Sequence, residues 1–290
     1  MICAMTAALW IDVAYFQDSI LLHVVFLLGT YFSFREFWPL CRATGHQTFS
    51  IWGTLSGCGL VIAHYFCMRW LTTPGTLRSA IESWNLWNGA LAVSFLGTFL
   101  LTARRKKLES SLGGVAVTSL GLLYIVFLPS FVMKIRHLNL HGSIGGPVSE
   151  WNQFGHRMVI ATLVLAKGCD VCAYLVGKAL GKHKAFPILS PGKTIEGLIG
   201  GLAGSLLMAL FLWWDKIGVL TYFPIWKAAI IGVIIGASGI LGDLMESLLK
   251  RSAGAKDAGQ LVPGYGGVLD VVDSLMVAGP VAYYLISAML

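Results

Sequence analysis

The chain has 290 residues, of which 56% are hydrophobic and only 12% charged, against about 25% charged in a soluble domain. With a mean hydropathy of +0.74, this composition excludes an ordinary water-soluble domain and predicts an all-α, polytopic integral membrane helix bundle. The net charge of +7 comes without a zinc finger, an RNP motif or a basic helix. It therefore argues for loop topology and contact with anionic lipid or nucleotide, not for nucleic-acid binding.

No basic n-region or A-x-A site opens the chain, so no cleavable signal peptide is expected. The stretch "MTAALWIDVAYF" (5–16) is too short to span and reads as the tail of a further helix. Candidate spans follow at 19–34, 50–71, 85–102, 112–133, 156–177, 194–214, 226–248 and 267–289. That predicts about eight transmembrane helices, or nine with a shortened first one, each near the ~20 residues that a bilayer crossing needs. Glycine is abundant, at 34 residues, as close helix packing in a membrane requires.

Alternate loops carry most of the basic residues. One set holds Arg35 and Arg42, then Arg104 to Lys107, then Lys178, Lys182, Lys184 and Lys193, then Lys250, Arg251 and Lys256. The opposite set holds Arg69, Arg78, Lys134, Arg136, Lys216 and Lys227. The richer side is expected to be cytoplasmic, which places loops 178–193 and 250–266 there. The character of the chain changes near 134, giving an N-terminal transmembrane region, 1–133, and a C-terminal catalytic region, 134–290.

That second region holds the unusual acids: Asp170, Glu196, Asp243, Glu246, Asp257, Asp270 and Asp273. Most lie in or at the edge of apolar helices, where an ionisable group is costly and marks a candidate site. The alternative is that each pairs with a lysine or arginine and joins helices. Asp243 and Glu246 repeat the i, i+3 spacing of Asp270 and Asp273, which puts each pair on one helix face. An antiparallel hairpin over 243–273 would bring the pairs to similar depth, where they repel unless a cation lies between them. Hard carboxylate oxygens suit Mg²⁺, and through it a phosphate. Lys250, Arg251 and Lys256 lie between the pairs, among glycines at 254, 259, 264, 266 and 267 that let backbone amides approach an anion. In "LSPGKTIEGLIGG" (189–201), Ser190, Lys193 and Thr194 precede a helix start, which favours phosphate; a plain helix cap at Ser190 or Thr194 is the other reading.

Several motifs are excluded. "GKT" is not a P-loop, because Pro187 stands where the first glycine belongs and no strand is expected before it. Cys169 and Cys172 have CxxC spacing without a second pair and read as helix-packing cysteines. The histidines, His183 among them, lack ligand spacing, and no GxSxG elbow occurs.

The segment "GDLMESLLKRSAGAKDAGQLVPGYGGVLDVVDS" (242–274) resembles the C-terminal signature of the phosphatidate cytidylyltransferases, or CDP-diacylglycerol synthases. "CDVCAYLVGKALGKHKAFPILSPGKTIEGLIGG" (169–201) is similar to their upstream segment, and "REFWPLCRATG" (35–45) to a weaker N-terminal feature. The resemblance implies that CTP and phosphatidate give CDP-diacylglycerol and pyrophosphate, in a membrane-embedded, usually dimeric helix bundle. It implies Mg²⁺ on Asp243 and Asp270, with a second cation such as K⁺. Lys193, Lys250, Arg251 and Lys256 would hold phosphates, while Asp257 and Asp273 orient these cations or bind a second ion. Ser190, Thr194, Asp170 and Glu246 are the substrate-binding candidates, with Glu246 and Glu196 in supporting roles. The site would face the cytoplasm from the inner (plasma) membrane.

Two departures stand out: Tyr265 where the family usually has histidine, and Val271 where it usually has arginine. With a fixed cation lost beside Asp270 and Asp273, either the metal carries more of the neutralisation, another basic residue substitutes, or the site is impaired. Rival readings are a CTP-dependent polyprenol or phytol-type lipid kinase, a CDP-alcohol phosphatidyltransferase (whose motif is absent), an ion-coupled transporter and an inactive paralogue.

Overall fold

The computed structural model describes residues 20–72, 77–104, 111–138, 148–214, 218–259, 261 and 266–290. The N-terminal stretch 5–16, Val262, Gly264 and Tyr265 lie outside them. Among the described residues there are eight helices: α1 (Ile20–Ala43), α2 (Ser50–Thr72), α3 (Leu77–Ala103), α4 (Ser111–Arg136), α5 (Val148–Leu180), α6 (Ile195–Trp214), α7 (Ile225–Ser252) and α8 (Val268–Met289). Each falls on one of the expected spans. Seven are long and apolar enough to cross a membrane, so this is a multi-pass membrane protein.

Several helices outrun their predicted spans. α1 continues through Arg35, Glu36 and Pro39 to Ala43, and α7 runs on through Lys250 and Arg251. Polar residues end an apolar count without ending a helix when their charges find partners. Within α4, Leu122–Phe127 forms a stretch of π-helix whose Leu122, Tyr124, Ile125 and Val126 are buried.

One expectation is corrected. A short strand does precede the "GKT" tripeptide: β1 (Lys184–Phe186) pairs antiparallel with β2 (Ser190–Thr194). Lys184 faces Thr194 and Phe186 faces Ser190, so β2 carries extra residues and bulges at Pro191 and Gly192. Lys193 and Thr194 thus belong to the strand itself, and the strand–loop–helix order of a phosphate-binding P-loop is still absent.

The chain divides into two compact units. One runs through Ser130 and takes in Ser252–Asp270; the other comprises Phe131–Arg251 and Val271–Leu290. In the first, Phe34 stacks on Trp38, whose Nε1 donates to Thr54 Oγ1 at 2.9 Å. Gly53 and Gly57 of α2 make room for these rings.

In the second unit, α5 and α6 meet along a seam of small residues. A Cβ on Gly200, Gly201 or Gly204 would strike Val176, Ala173 or Cys172. Cys169 and Cys172 are free thiols in this packing. Ser205 Oγ donates to Gly232 O at 2.7 Å, tying α6 to α7. At Gly242, a Cβ would fall on the Asp273 carbonyl oxygen, so α7 and α8 meet backbone to backbone there.

Gly201→Leu is therefore expected to cost about 1–3 kcal/mol by overpacking the α5–α6 seam. Gly29→Ala, in the interior of α1 where nothing lies within 4 Å of the added carbon, should leave stability unchanged or raise it by up to about 1 kcal/mol. Thermal melting of both variants in detergent checks the contrast.

Candidate active site

The site is built in the second unit from the acids of α5, α7 and α8 and from the β-hairpin. Asp243, Glu246 and Asp273 each offer a carboxylate oxygen, and these oxygens lie within 4.8 Å of one another. The hairpin-like return of α8 on α7 at Gly242 is what brings them together. Hard oxygens at this spacing fit a Mg²⁺ ion, whose opposite ligands stand ~4.2 Å apart at ~2.1 Å per bond. Ser274 N donates to Asp273 Oδ1 at 2.5 Å and fixes that carboxylate.

Three lysines interleave with the acids. Lys193 Nζ lies 2.5 Å from Asp243 Oδ2. Lys250 Nζ lies 2.5 Å from Glu246 Oε2, one turn back on α7. Lys167 Nζ lies 2.9 Å from Asp273 Oδ1 and 3.9 Å from Asp170 Oδ2. The reading in which each acid simply pairs with a lysine is thus partly realised. Yet Asp170, Asp243, Glu246 and Asp273 outnumber Lys167, Lys193 and Lys250 by one charge. A divalent cation would turn this surplus into a net positive site, suited to a phosphate.

Asp243 also lines a cavity of about 530 Å³ together with Asp170, Tyr174, Lys178, Lys184, Ser190, Lys193 and Thr194. Gly177, Gly181, Gly192 and Gly197 form much of its wall. Thr194 is a helix cap: its Oγ1 accepts from Gly197 N at 3.1 Å. Glu196 accepts from Lys182 N at 3.1 Å and contacts His183 Nδ1 at 2.6 Å, joining the end of α5 to the start of α6. Arg251 Nε donates to Leu189 O at 3.3 Å, which holds the hairpin turn against the end of α7.

Of the expected site residues, the structure brings together Asp170, Ser190, Lys193, Thr194, Asp243, Glu246, Lys250 and Asp273 in one unit, with Arg251 on the hairpin turn. Asp270, Lys256 and Asp257 belong to the other. Asp270 Oδ2 accepts from Gly267 N at 2.6 Å and Ala258 N at 3.2 Å, and Lys256 and Asp257 are exposed. The three-carboxylate group therefore contains Glu246 and Asp273 beside Asp243, residues expected in substrate-binding and catalytic roles. Lys167 was missed. Its signal was present: a lone lysine in the apolar run 156–177, three residues before Asp170, is as costly in a membrane as any acid.

The chain matches the Cytidylyltransferase family over residues 1–289 and belongs to it. It is 41% identical over 134 residues to the uncharacterized protein YnbB of Escherichia coli, covering 46% of this chain and 44% of that protein. It is 42% identical over 133 residues to a phosphatidate cytidylyltransferase of Synechocystis, covering 44% and 43%. To the phosphatidate cytidylyltransferase of Staphylococcus aureus (strain COL) it is 45% identical over 116 residues, covering 38% and 42%. The chain spans less than half the length of these curated relatives.

If Lys167 neutralises Asp273, the two are energetically coupled. Lys167→Met alone should be strongly destabilising, because it strands a buried carboxylate. Lys167→Met combined with Asp273→Asn should recover part of the loss, with a coupling energy of about 1–3 kcal/mol. Melting temperatures of the wild type, both single variants and the double variant measure it; purely additive effects would remove Lys167 from the site.

Proposed function

We propose that this protein is a phosphatidate cytidylyltransferase: CTP and phosphatidate are converted to CDP-diacylglycerol and pyrophosphate in phospholipid biosynthesis. The observation that carries the reading is the Asp243–Glu246–Asp273 group, interleaved with Lys193 and Lys250, beside a cavity that Lys178, Lys184 and Lys193 line in a membrane helix bundle. Family membership and the likeness to two phosphatidate cytidylyltransferases support it.

In this reaction an oxygen of the phosphatidate phosphate forms a bond to the α-phosphorus of CTP. The bond from that phosphorus to the bridging oxygen of the β-phosphate breaks, and pyrophosphate leaves with the electron pair. The attacking phosphate is already ionised, so no protein nucleophile is needed. Lys193 and Lys250 lie where they can turn from a carboxylate to a phosphate oxygen. Arg251 and Lys256 add positive charge for the triphosphate and the leaving group. Asp257 orients these cations. Ser190, Thr194 and Asp170 line the cavity that receives substrate.

Asp243, with Glu246 and Asp273, has the donor set to hold Mg²⁺; Asp270 is carried over as a ligand from the resemblance. The metal, when bound, offsets the charge of the triphosphate and of departing pyrophosphate. A second cation such as K⁺, a homodimer, and an inner-membrane orientation with 178–193 and 250–266 in the cytoplasm complete the proposal, the last on the distribution of basic residues.

Purified protein in micelles with phosphatidate, Mg²⁺ and CTP labelled at the α- or γ-phosphate is the test. Label from the α position should enter lipid, with release of pyrophosphate. Transfer from the γ position alone, onto a supplied lipid alcohol, would make the protein a kinase. No transfer from a folded sample that still binds CTP would make it an inactive paralogue, with Val271 the first suspect. Asp243→Asn and Asp270→Asn should each lower turnover by at least about a thousandfold, through lost charge stabilisation of the transition state, while the protein still inserts.

A further inference from the structure

Glu36 is a buried acid of the first unit. It sits in α1, within the stretch "REFWPL", and is only 5% exposed. Its Oε1 accepts from Val268 N at 2.9 Å and its Oε2 from Leu269 N at 2.8 Å. These are the first amides of α8, which have no partner within their own helix. The carboxylate therefore does from 232 residues away what a cap residue ordinarily does locally. Two glycines make the approach possible, because a Cβ on Gly259 or Gly267 would fall on the Glu36 carboxylate.

Asp270 closes the same segment from its other side, taking Gly267 N and Ala258 N on one oxygen. All of these residues belong to one compact unit. Two carboxylates thus take the amides of Ala258, just after Lys256 and Asp257, and of Gly267, Val268 and Leu269. A local serine or aspartate would cap α8 without burying a charge reached from another helix. What the distant carboxylate adds is a fixed placement of the segment against α1, and the positive end of α8 offsets the cost of burying it.

We propose that Glu36 is a positioning residue, which clamps the backbone at Gly259 and from Gly267 to Leu269 and thereby sets Lys256 and Asp257 for CTP. The link to CTP rests on the cytidylyltransferase reading; the clamp itself does not. Glu36→Gln keeps one acceptor but turns an amide NH₂ toward a backbone N–H. Gly259→Ala pushes on the carboxylate from outside and leaves Glu36 in place.

Both variants should raise amide hydrogen exchange at Val268 and Leu269 by about tenfold or more, while the cores of α5 and α6 keep their protection. Both should raise KM for CTP by about tenfold with kcat changed less than about threefold. A merely structural loss would shrink the active fraction, lowering apparent kcat at constant KM. Unchanged exchange in both variants overturns the clamp. Faster exchange with unchanged KM overturns the positioning role. A wild type that transfers no label overturns the link to CTP together with the cytidylyl reading, and the exchange data then decide the clamp alone.

Discussion

Charge neutralisation inside a helix bundle is the constraint on which the rest of this protein depends. Carboxylates placed within membrane helices are stable only if something pairs with them. Here Lys167 of α5 meets Asp273 of α8, and Lys193 of β2 meets Asp243 of α7. These pairs join elements far apart in the chain at the level where Gly242 lets α7 and α8 touch. The fold and the acidic group are thus one construction. Without the lysines the acids could not be buried, and without the glycine the acids could not converge.

On the cytidylyltransferase reading, the same pairs would let a structural network serve chemistry. A lysine bound to a carboxylate is already ordered and partly desolvated. Exchanging that partner for a phosphate oxygen requires little reorganisation, which is the condition under which fixed charges act most strongly on a reaction.

Much of this was legible in the sequence. Apolar runs located all eight helices, since hydrophobic length alone dictates a membrane helix. The paired spacing of Asp243 with Glu246 and of Asp270 with Asp273 announced an acidic centre. Spacing could not say which members of the two pairs would share a group, because that depends on helix rotation set by Gly242. Lys167 and Glu36 escaped for a related reason. Asp273, which Lys167 meets, and the amides that Glu36 takes lie 106 and 232 residues away; the i, i+3 spacing of Lys167 and Asp170 marked the lysine as unusual but not this distant partner. The hairpin escaped because Pro191 and Gly192 break the alternation by which strands are recognised; the bulge at those two residues accommodates both.

The glycine seam between α5 and α6 has a consequence for the cavity it borders. Where Gly177, Gly181 and Gly197 gather around Thr194, the wall is made of main chain, with helix backbones close enough that a Cβ would collide. Such a wall has no rotamers to freeze when a ligand arrives, and no side chain to move aside. Ordering costs of roughly 0.5–1.5 kcal/mol for each immobilised side chain do not arise there. What the cavity gives up in contact area it recovers in rigidity. The adaptable part of recognition is left to the lysines at its rim.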